Sequence, residues 1–307
     1  AAFWLSGDEV KASVVSRPLT SATEAIGGEL LASALQGLGV PPSFAIFSPT
    51  PGLEEPLLRG LSSGLKNTPL LGGSAADNDI SGKWKVFTRD ATMTAGAVLA
   101  LVSWPGTVSV PWASGALPTR LTATVTRVEG RVIRELDGQP AAKVYNDWLN
   151  GGVTMELRSG ASILAKTSFT PLGVVRPSGI TLIHPERIVD GTGIACFAAV
   201  SKGEQVTLVK STKLGMQGRP ASIIARALGG AEPKKPKGVL LAYCAGCMLA
   251  IDPDTKPMVE AIHTLIGDAP LTGAFHFGEQ GRHSSGDPEH ANLLTGALEL
   301  SCLFVRE

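Results

Sequence analysis

Internal duplication is the feature that most limits how this chain can fold. A short strand-like run leads to a helical stretch near the start of the chain, and the same order returns in its last third. Each copy then has an apolar run, an amphipathic segment and a Pro-Leu-x-Gly element. These runs are Gly7–Val10, Glu29–Leu35, Phe44–Ser48 and Thr68–Gly72 in the first copy, and Gly203–Val206, Ser222–Leu228, Val239–Cys244 and Ala269–Gly273 in the second. Repeated order and spacing predict two pseudo-equivalent lobes, and a cleft between such lobes commonly binds a ligand.

Composition narrows the possible partners. Of 307 residues, 44% are hydrophobic, which is enough for one large or two medium cores. Basic and acidic residues number 27 each, and a basic cluster occurs only at 234–237, so we expect no nucleic-acid partner. No apolar run approaches the roughly 20 residues that cross a bilayer, so we expect no membrane span. The chain begins without Met or a signal-peptide pattern, and its localisation is not readable from the sequence.

Residues 106–192 interrupt the duplication. The alternation in Leu121–Thr126, followed by a hairpin-type turn and a short helix at Ala141–Leu149, predicts mixed sheet with one helix. In the first copy, the leucine spacing predicts a helix over Glu54–Lys66. We therefore expect an α+β fold: an internally duplicated two-lobe architecture with mixed, largely antiparallel sheets and helices packed outside.

The second copy carries polar residues that the first lacks. Three histidines, His276, His283 and His290, lie close together with several carboxylates, but their spacing matches no metal motif, so we expect no metal site. Glu279 has two equally weighted interpretations. It could hold a ligand amine or guanidinium, or it could cap a nearby backbone turn. His290, with Asn292 close by, offers a partner for either role.

The chain has four cysteines, too few for a disulfide scaffold. Cys196 and Cys302 lie in apolar runs and are expected to be buried. Cys244 and Cys247 form a CxxC pair after a strand, but Met248–Pro253 is a poor helix start and no second ligand pair for zinc follows. We favour a strand-end turn that faces the cleft.

Several elements, in this order, resemble the FIST family of sensory domains. Leu71–Asn78 is similar to a Gly-Gly-Ser-Ala element of the family's N-terminal part, and Glu135–Tyr145 to the start of its C-terminal part. Pro270–Glu279 and His290–Thr295 resemble its closing elements. The resemblance implies a FIST N-terminal-like lobe at 1–119, incomplete at its N terminus, and a C-terminal-like lobe at 120–307.

The resemblance also implies a small-ligand sensor without catalytic activity. Amino acids or their derivatives are the suggested ligands, and no cofactor is indicated. We expect Glu279 and His290 to fix the polar head of the ligand and Phe277 to supply apolar surface. The residues expected to face the cleft are Gly73, Ser74, Cys244, Phe277, Glu279, His290 and Asn292.

Three alternatives stay open at this point. The first is a haem or gas sensor with an axial histidine. The second is a protein-interaction scaffold, as in the F-box proteins that contain this domain, with an exposed apolar patch binding a protein partner. The third is a thiol-redox enzyme centred on Cys244 and Cys247.

Overall fold

A computed structural model describes most of the chain. The described residues are 6–78, 81–112, 114–177, 179–229, 236–251, 255–282 and the backbone of 294–298 and 300–305. His290 and Asn292 lie outside them.

The elements follow one another in a mixed order. Residues before 113 form β1 (Lys11–Pro18), α1 (Glu24–Leu38), β2 (Phe44–Pro49), α2 (Glu54–Leu65), β3 (Leu70–Gly73), β4 (Val86–Phe87), β5 (Thr92–Met93), β6 (Gly96–Ser103) and β7 (Val108–Ser109). The middle of the chain forms β8 (Leu117–Glu129), β9 (Val132–Leu136), β10 (Gln139–Pro140), α3 (Ala141–Trp148), α4 (Thr154–Ser159), α5 (Leu164–Thr167), β11 (Leu172–Arg176), β12 (Gly179–Ile183), β13 (Pro185–Val189), β14 (Gly193–Cys196) and β15 (Gln205–Lys210). The last third forms α6 (Lys213–Leu228), β16 (Gly238–Cys244), α7 (Ala245–Ile251), α8 (Lys256–Ile266), β17 (Leu271–His276), β18 (Glu279–Arg282), β19 (Leu294–Leu298) and β20 (Leu300–Val305).

The chain divides into two compact units. Unit 1 contains residues 1–113, 218–245 and 254–307, and unit 2 contains residues 114–217 and 246–253. Unit 2 holds an eight-stranded sheet in the order β12-β11-β15-β8-β9-β14-β13, with β10 paired to β9. The two units are defined by which residues lie close together in space. The boundary predicted at 119/120 instead separates the N-terminal-like lobe from the C-terminal-like lobe, and it stays a prediction.

Unit 1 contains two larger sheets, and each is extended by strands from outside its own copy. The six-stranded sheet has the order β1-β6-β2-β3-β18-β19, and the four-stranded sheet has the order β17-β16-β20-β7. Strands β18 and β19 of the second copy thus extend the sheet of the first copy, while β7, which lies just after the first copy, extends the sheet of the second. Among the described strands, only β2–β3 and β16–β17 pair in parallel, which confirms the expected mixed, largely antiparallel α+β fold.

The duplication is visible in these two parallel pairs. In each copy a strand leads through a helical segment to a parallel strand: β2, α2 and β3 in the first, and β16, α7 with α8, and β17 in the second. The N–H of Ala45 donates to the carbonyl of Pro69, and the N–H of Val239 donates to the carbonyl of Pro270, both at 2.9 Å. The Pro-Leu-x-Gly element therefore begins the parallel pair in the same way in both copies.

The core of unit 1 is layered. Helices α1 and α2 cover one face of the six-stranded sheet with a leucine-rich cluster that contains Leu30, Leu57, Leu61, Phe47 and Leu99. The other face of that sheet, through Phe44 and Leu71, packs on Ala242 of the four-stranded sheet. The far side of the four-stranded sheet lines a pocket of about 260 Å³ together with α8. The expected placement of helices outside the sheets is confirmed here.

Two local expectations are wrong. The described part of residues 106–192 contains three helices, α3, α4 and α5, where one was predicted. The residues after Cys244 form the helix α7 instead of a strand-end turn. Ala, Met and Leu are good helix formers, and Ala245, Cys247 and Ile251 of this helix are buried. Among the described residues, no helix has the length and apolar character needed to cross a membrane.

Close packing of α1 on α2 depends on glycine. A Cβ at Gly27 would lie 2.4 Å from the carbonyl oxygen of Leu57, whereas a Cβ at Gly28 would meet nothing within 4 Å. We expect Gly27→Ala to lower the free energy of unfolding by about 1–3 kcal/mol, because backbone cannot yield as a side chain can. Gly28→Ala, on the same helix, should raise it by about 0.5–1 kcal/mol.

Urea denaturation of both variants checks this prediction. The matched substitution isolates the helix–helix contact from the change in helix propensity. Equal shifts of the two midpoints would contradict the close approach of α1 to α2.

Candidate functional site

The polar site of unit 1 lies where β3 pairs with β18. Gly72 is the partner of Gln280, and Gly73 is the partner of Glu279. Successive residues of a strand point to opposite faces of its sheet, and cross-strand partners share a face. The two pairs therefore place two polar clusters on opposite faces of the six-stranded sheet.

The cluster on the helix side is a chain of hydrogen bonds. Gln280 Nε2 donates to Ser74 Oγ at 3.1 Å, and Ser74 Oγ donates to Glu54 Oε1 at 2.6 Å. The N–H of Gly52 donates to Glu54 Oε2 at 2.8 Å. All three side chains are buried. This chain ties the start of α2 to β3 and β18.

The other face carries Glu279, His276 and Cys244. The His276 imidazole lies over Gly73, since a Cβ at Gly73 would be only 2.2 Å from His276 Cγ. Cys244 and His276 are partners in the last rung of the β16–β17 pair, so their side chains point to one face. Ala242, two residues before Cys244, packs between the two sheets. These three side chains thus meet at the end of the layer between the sheets.

Glu279 is a fully buried carboxyl group. Among the described residues, neither carboxyl oxygen has a hydrogen-bond partner of good geometry. Burial raises the pKa of Glu279 well above 4.5, and negative charge at Cys244 raises it further. The nearby N–H groups of Gly278 and Glu279 itself oppose this shift without reversing it. The group is therefore most stable in its neutral form.

His276 is a mostly buried imidazole in the same cluster. Burial lowers its pKa, and a hydrogen bond to the backbone of Ser74 opposes this shift. A neutral imidazole beside a thiol can accept a proton.

Phe277 is packed against the protein. Its ring makes an edge-to-face contact with Trp84, with centroids 6.2 Å apart. Trp84 belongs to a small apolar cluster with Val86 and Met93. The N–H of Phe277 donates to the carbonyl of Ser74 at 3.1 Å, which fixes the turn before β18.

The structure brings some of the predicted site residues together. Gly73, Cys244 and Glu279 face the layer between the two sheets of unit 1. The Ser74 hydroxyl lies on the opposite face of the six-stranded sheet and is used by Glu54 and Gln280. The predicted roles of His290 and Asn292 lie outside the described residues. Their part in ligand binding stays a prediction.

Sequence reasoning missed the hydrogen-bond partners of Ser74. Glu54 is only the first residue of an amphipathic helix, and Gln280 is only the residue after Glu279. Nothing local indicates that either would be buried. His276 was predicted only as one of three clustered histidines that could ligate a metal or take part in acid–base chemistry. In the described part of the chain, no three His, Cys, Asp or Glu side chains are placed to hold a metal ion.

Comparison with known proteins identifies the family. The FIST N domain model matches residues 1–139, and the FIST C domain model matches residues 141–282. The chain belongs to the FIST family. Domains of this family are generally regarded as small-ligand sensory domains.

One curated relative is an uncharacterized protein, MJ1623, of Methanocaldococcus jannaschii. It is 28% identical over 141 residues, which is 46% of this chain and 26% of the relative. The aligned part therefore spans about a quarter of that relative's length.

The neutral Glu279 makes stability depend on pH. Between pH 4.5 and its folded pKa, the unfolded chain releases the proton of this carboxyl group and the folded chain keeps it. Wild-type stability should therefore fall as pH rises in this window, by about 1.4 kcal/mol per pH unit relative to Glu279→Gln. Urea midpoints of the ligand-free proteins, measured from pH 4.5 to pH 8, test this.

The exposed substitution Glu9→Gln is the control and should keep the wild-type pH profile. Parallel profiles for Glu279→Gln and wild type would mean that Glu279 is ionised in the folded protein.

Substitution of Ser74 should lower stability without changing the pH dependence attributed to Glu279 on the opposite face of the sheet. Ser74→Ala leaves buried groups of Glu54 and Gln280 without their shared partner, so we expect a loss of about 1–3 kcal/mol in the free energy of unfolding. The pH profile attributed to Glu279 should persist in this variant. Its disappearance would show that the two faces are coupled.

Proposed function

We propose that this chain is a non-catalytic sensory domain that binds an amino acid or an amino acid derivative between the two sheets of unit 1. In this proposal the ligand's ammonium group pairs with Glu279. His290 and Asn292 are proposed to contact the rest of the polar head.

The buried carboxyl group of Glu279 is the observation that carries this proposal. A buried polar group without a partner costs roughly 1–3 kcal/mol, more when it is charged, and folded proteins seldom keep one for structural reasons alone. The fold already uses Glu54 for its own hydrogen bonds, but among the described residues it leaves Glu279 without one. A ligand cation supplies what Glu279 lacks, because a charge-assisted hydrogen bond is about twice as strong as a neutral one.

The location of Glu279 favours a small ligand. The carboxyl group lies at the end of the layer between two sheets, beside His276 and Cys244. Sheets that pack face to face are only about 10 Å apart, which excludes a folded partner from the layer between them. This supports a small molecule over the protein-scaffold alternative.

Binding of a panel of related compounds tests the proposal. Free amino acids and amino acid methyl esters both keep the ammonium group, whereas N-acetyl amino acids lose it. We expect at least one free amine to raise the melting temperature in a thermal-shift assay, and its N-acetyl form to have no effect. Native mass spectrometry of the purified protein identifies any ligand that survives isolation.

Variants assign the effect to one carboxyl group. Glu279→Gln should abolish the shift caused by the amine, while Glu9→Gln should retain it. Ser74→Ala should melt at a lower temperature and yet show the same ligand-induced shift. Equal binding of amine and N-acetyl forms would contradict a role for Glu279 as the cation partner.

The pH dependence of binding follows from the neutral carboxyl group. Glu279 must release its proton to pair with an ammonium ion, so affinity should rise with pH up to the pKa of the folded protein. Calorimetry in buffers of different ionisation enthalpy should show proton release on binding. Proton uptake, or none, would contradict the proposed pairing.

A further inference from the structure

The position of Cys244 beside Glu279 carries an inference about the chemistry of the ligand. We propose that this site captures small cationic disulfides, forming a mixed disulfide with Cys244 while the amine of the captured half pairs with Glu279. This inference rests on the proposed pairing of an ammonium group with Glu279 and adds the sulfur chemistry.

The arrangement of Cys244, His276 and Glu279 supports the formation of a mixed disulfide at this site. Cys244 and His276 are neighbours in the last rung of two parallel strands and point to one face. His276 lies over Gly73, whose cross-strand partner is Glu279. Thiol, imidazole and carboxyl group therefore occupy the same end of the layer between the sheets. Cys244 is half-buried and forms no disulfide with any described cysteine.

A second, independent observation points to a ligand here. Glu279 is fully buried, and neither carboxyl oxygen has a hydrogen-bond partner of good geometry among the residues that the structure describes. The carboxyl group is also close enough to Cys244 for the charge of one to affect the other. A compound that carries an amine and a sulfur a few bonds apart can satisfy both groups at once.

The reaction is a thiol–disulfide exchange that needs no further oxidant. His276 accepts the thiol proton, and the Cys244 thiolate attacks one sulfur of the incoming disulfide. A new sulfur–sulfur bond forms at Cys244 as the old one breaks. The leaving thiolate takes the proton back from His276 and departs as the free aminothiol. Cys244 is oxidised, and the released half of the disulfide is reduced.

The charge of the disulfide gives a sharp test. Three small disulfides are compared on the full chain: cystamine, which is cationic, 2-hydroxyethyl disulfide, which is neutral, and dithiodipropionate, which is anionic. Adduct formation is followed by intact-mass spectrometry, and each rate is divided by the rate of the same disulfide with N-acetylcysteine. We expect cystamine to react at least about tenfold faster than the neutral disulfide, the size of one charge-assisted hydrogen bond. The anionic disulfide should react slowest.

Matched variants locate the reaction. Cys244→Ser should lose the adduct, and Cys247→Ser should keep it. Glu279→Gln should still form the adduct but lose the preference for cystamine. His276→Gln should slow the reaction with all three disulfides to a similar extent. Dithiothreitol should remove the adduct from the wild-type protein.

The outcomes separate this inference from the proposed function. Equal normalised rates for the three disulfides, or an adduct that persists in Cys244→Ser, would overturn the capture of cationic disulfides. If Cys244→Ser still binds a free amine in the thermal-shift assay, the proposed function stands even when the capture of cationic disulfides is overturned. If neither the amine nor cystamine depends on Glu279, both proposals fail.

Discussion

The pairing of β3 with β18 is the constraint on which the rest of unit 1 depends. Gly72 and Gly73 have no side chains, and both faces of the sheet use the space that this leaves. On one face a Cβ at Gly72 would lie 2.3 Å from Gln280 Oε1, and on the other a Cβ at Gly73 would overlap the His276 ring. Two consecutive glycines thus allow Gln280 and His276 to lie directly on the backbone of a strand.

This pairing also joins the two copies of the duplicated pattern. Strands β18 and β19 of the second copy extend the sheet of the first, while β7, which lies just after the first copy, extends the sheet of the second. Hydrogen bonds of the sheet ladders then hold the copies together, in addition to the apolar contacts of Phe44, Leu71 and Ala242. The candidate site consequently draws on both copies, with Gly73 from one and Cys244, His276 and Glu279 from the other.

The two buried glutamates of this region differ in the hydrogen bonds that the fold gives them. Glu54 accepts hydrogen bonds from Gly52 and Ser74 and stabilises the start of α2. Glu279, one strand pairing away, is equally buried but receives no comparable support from the described residues. Carboxyl groups of this kind are characteristic of binding sites, because the cost of burial is recovered only when a partner arrives.

Much of the fold could be predicted from local patterns. The leucine spacing of Glu54–Lys66 indicated α2, and the repeated Pro-Leu-x-Gly elements indicated that two segments would form equivalent strands. Glu279 stood out as a carboxylate at a strand end. These features depend on neighbours within a few residues, and such short-range patterns can be recognised in a single sequence.

Only the tertiary structure decided which strands pair and which face each side chain occupies. Ser74 and Gln280 are 206 residues apart in the chain and share a hydrogen bond. Because strand side chains alternate, the pairing register alone puts Ser74 with Glu54 and puts Glu279 with Cys244. Helix α7 was likewise decided by burial of Ala245, Cys247 and Ile251. The sequence by itself determined the order of the elements and their periodicity. Long-range pairing determined the site, because contacts between distant segments leave no periodic trace in a single sequence.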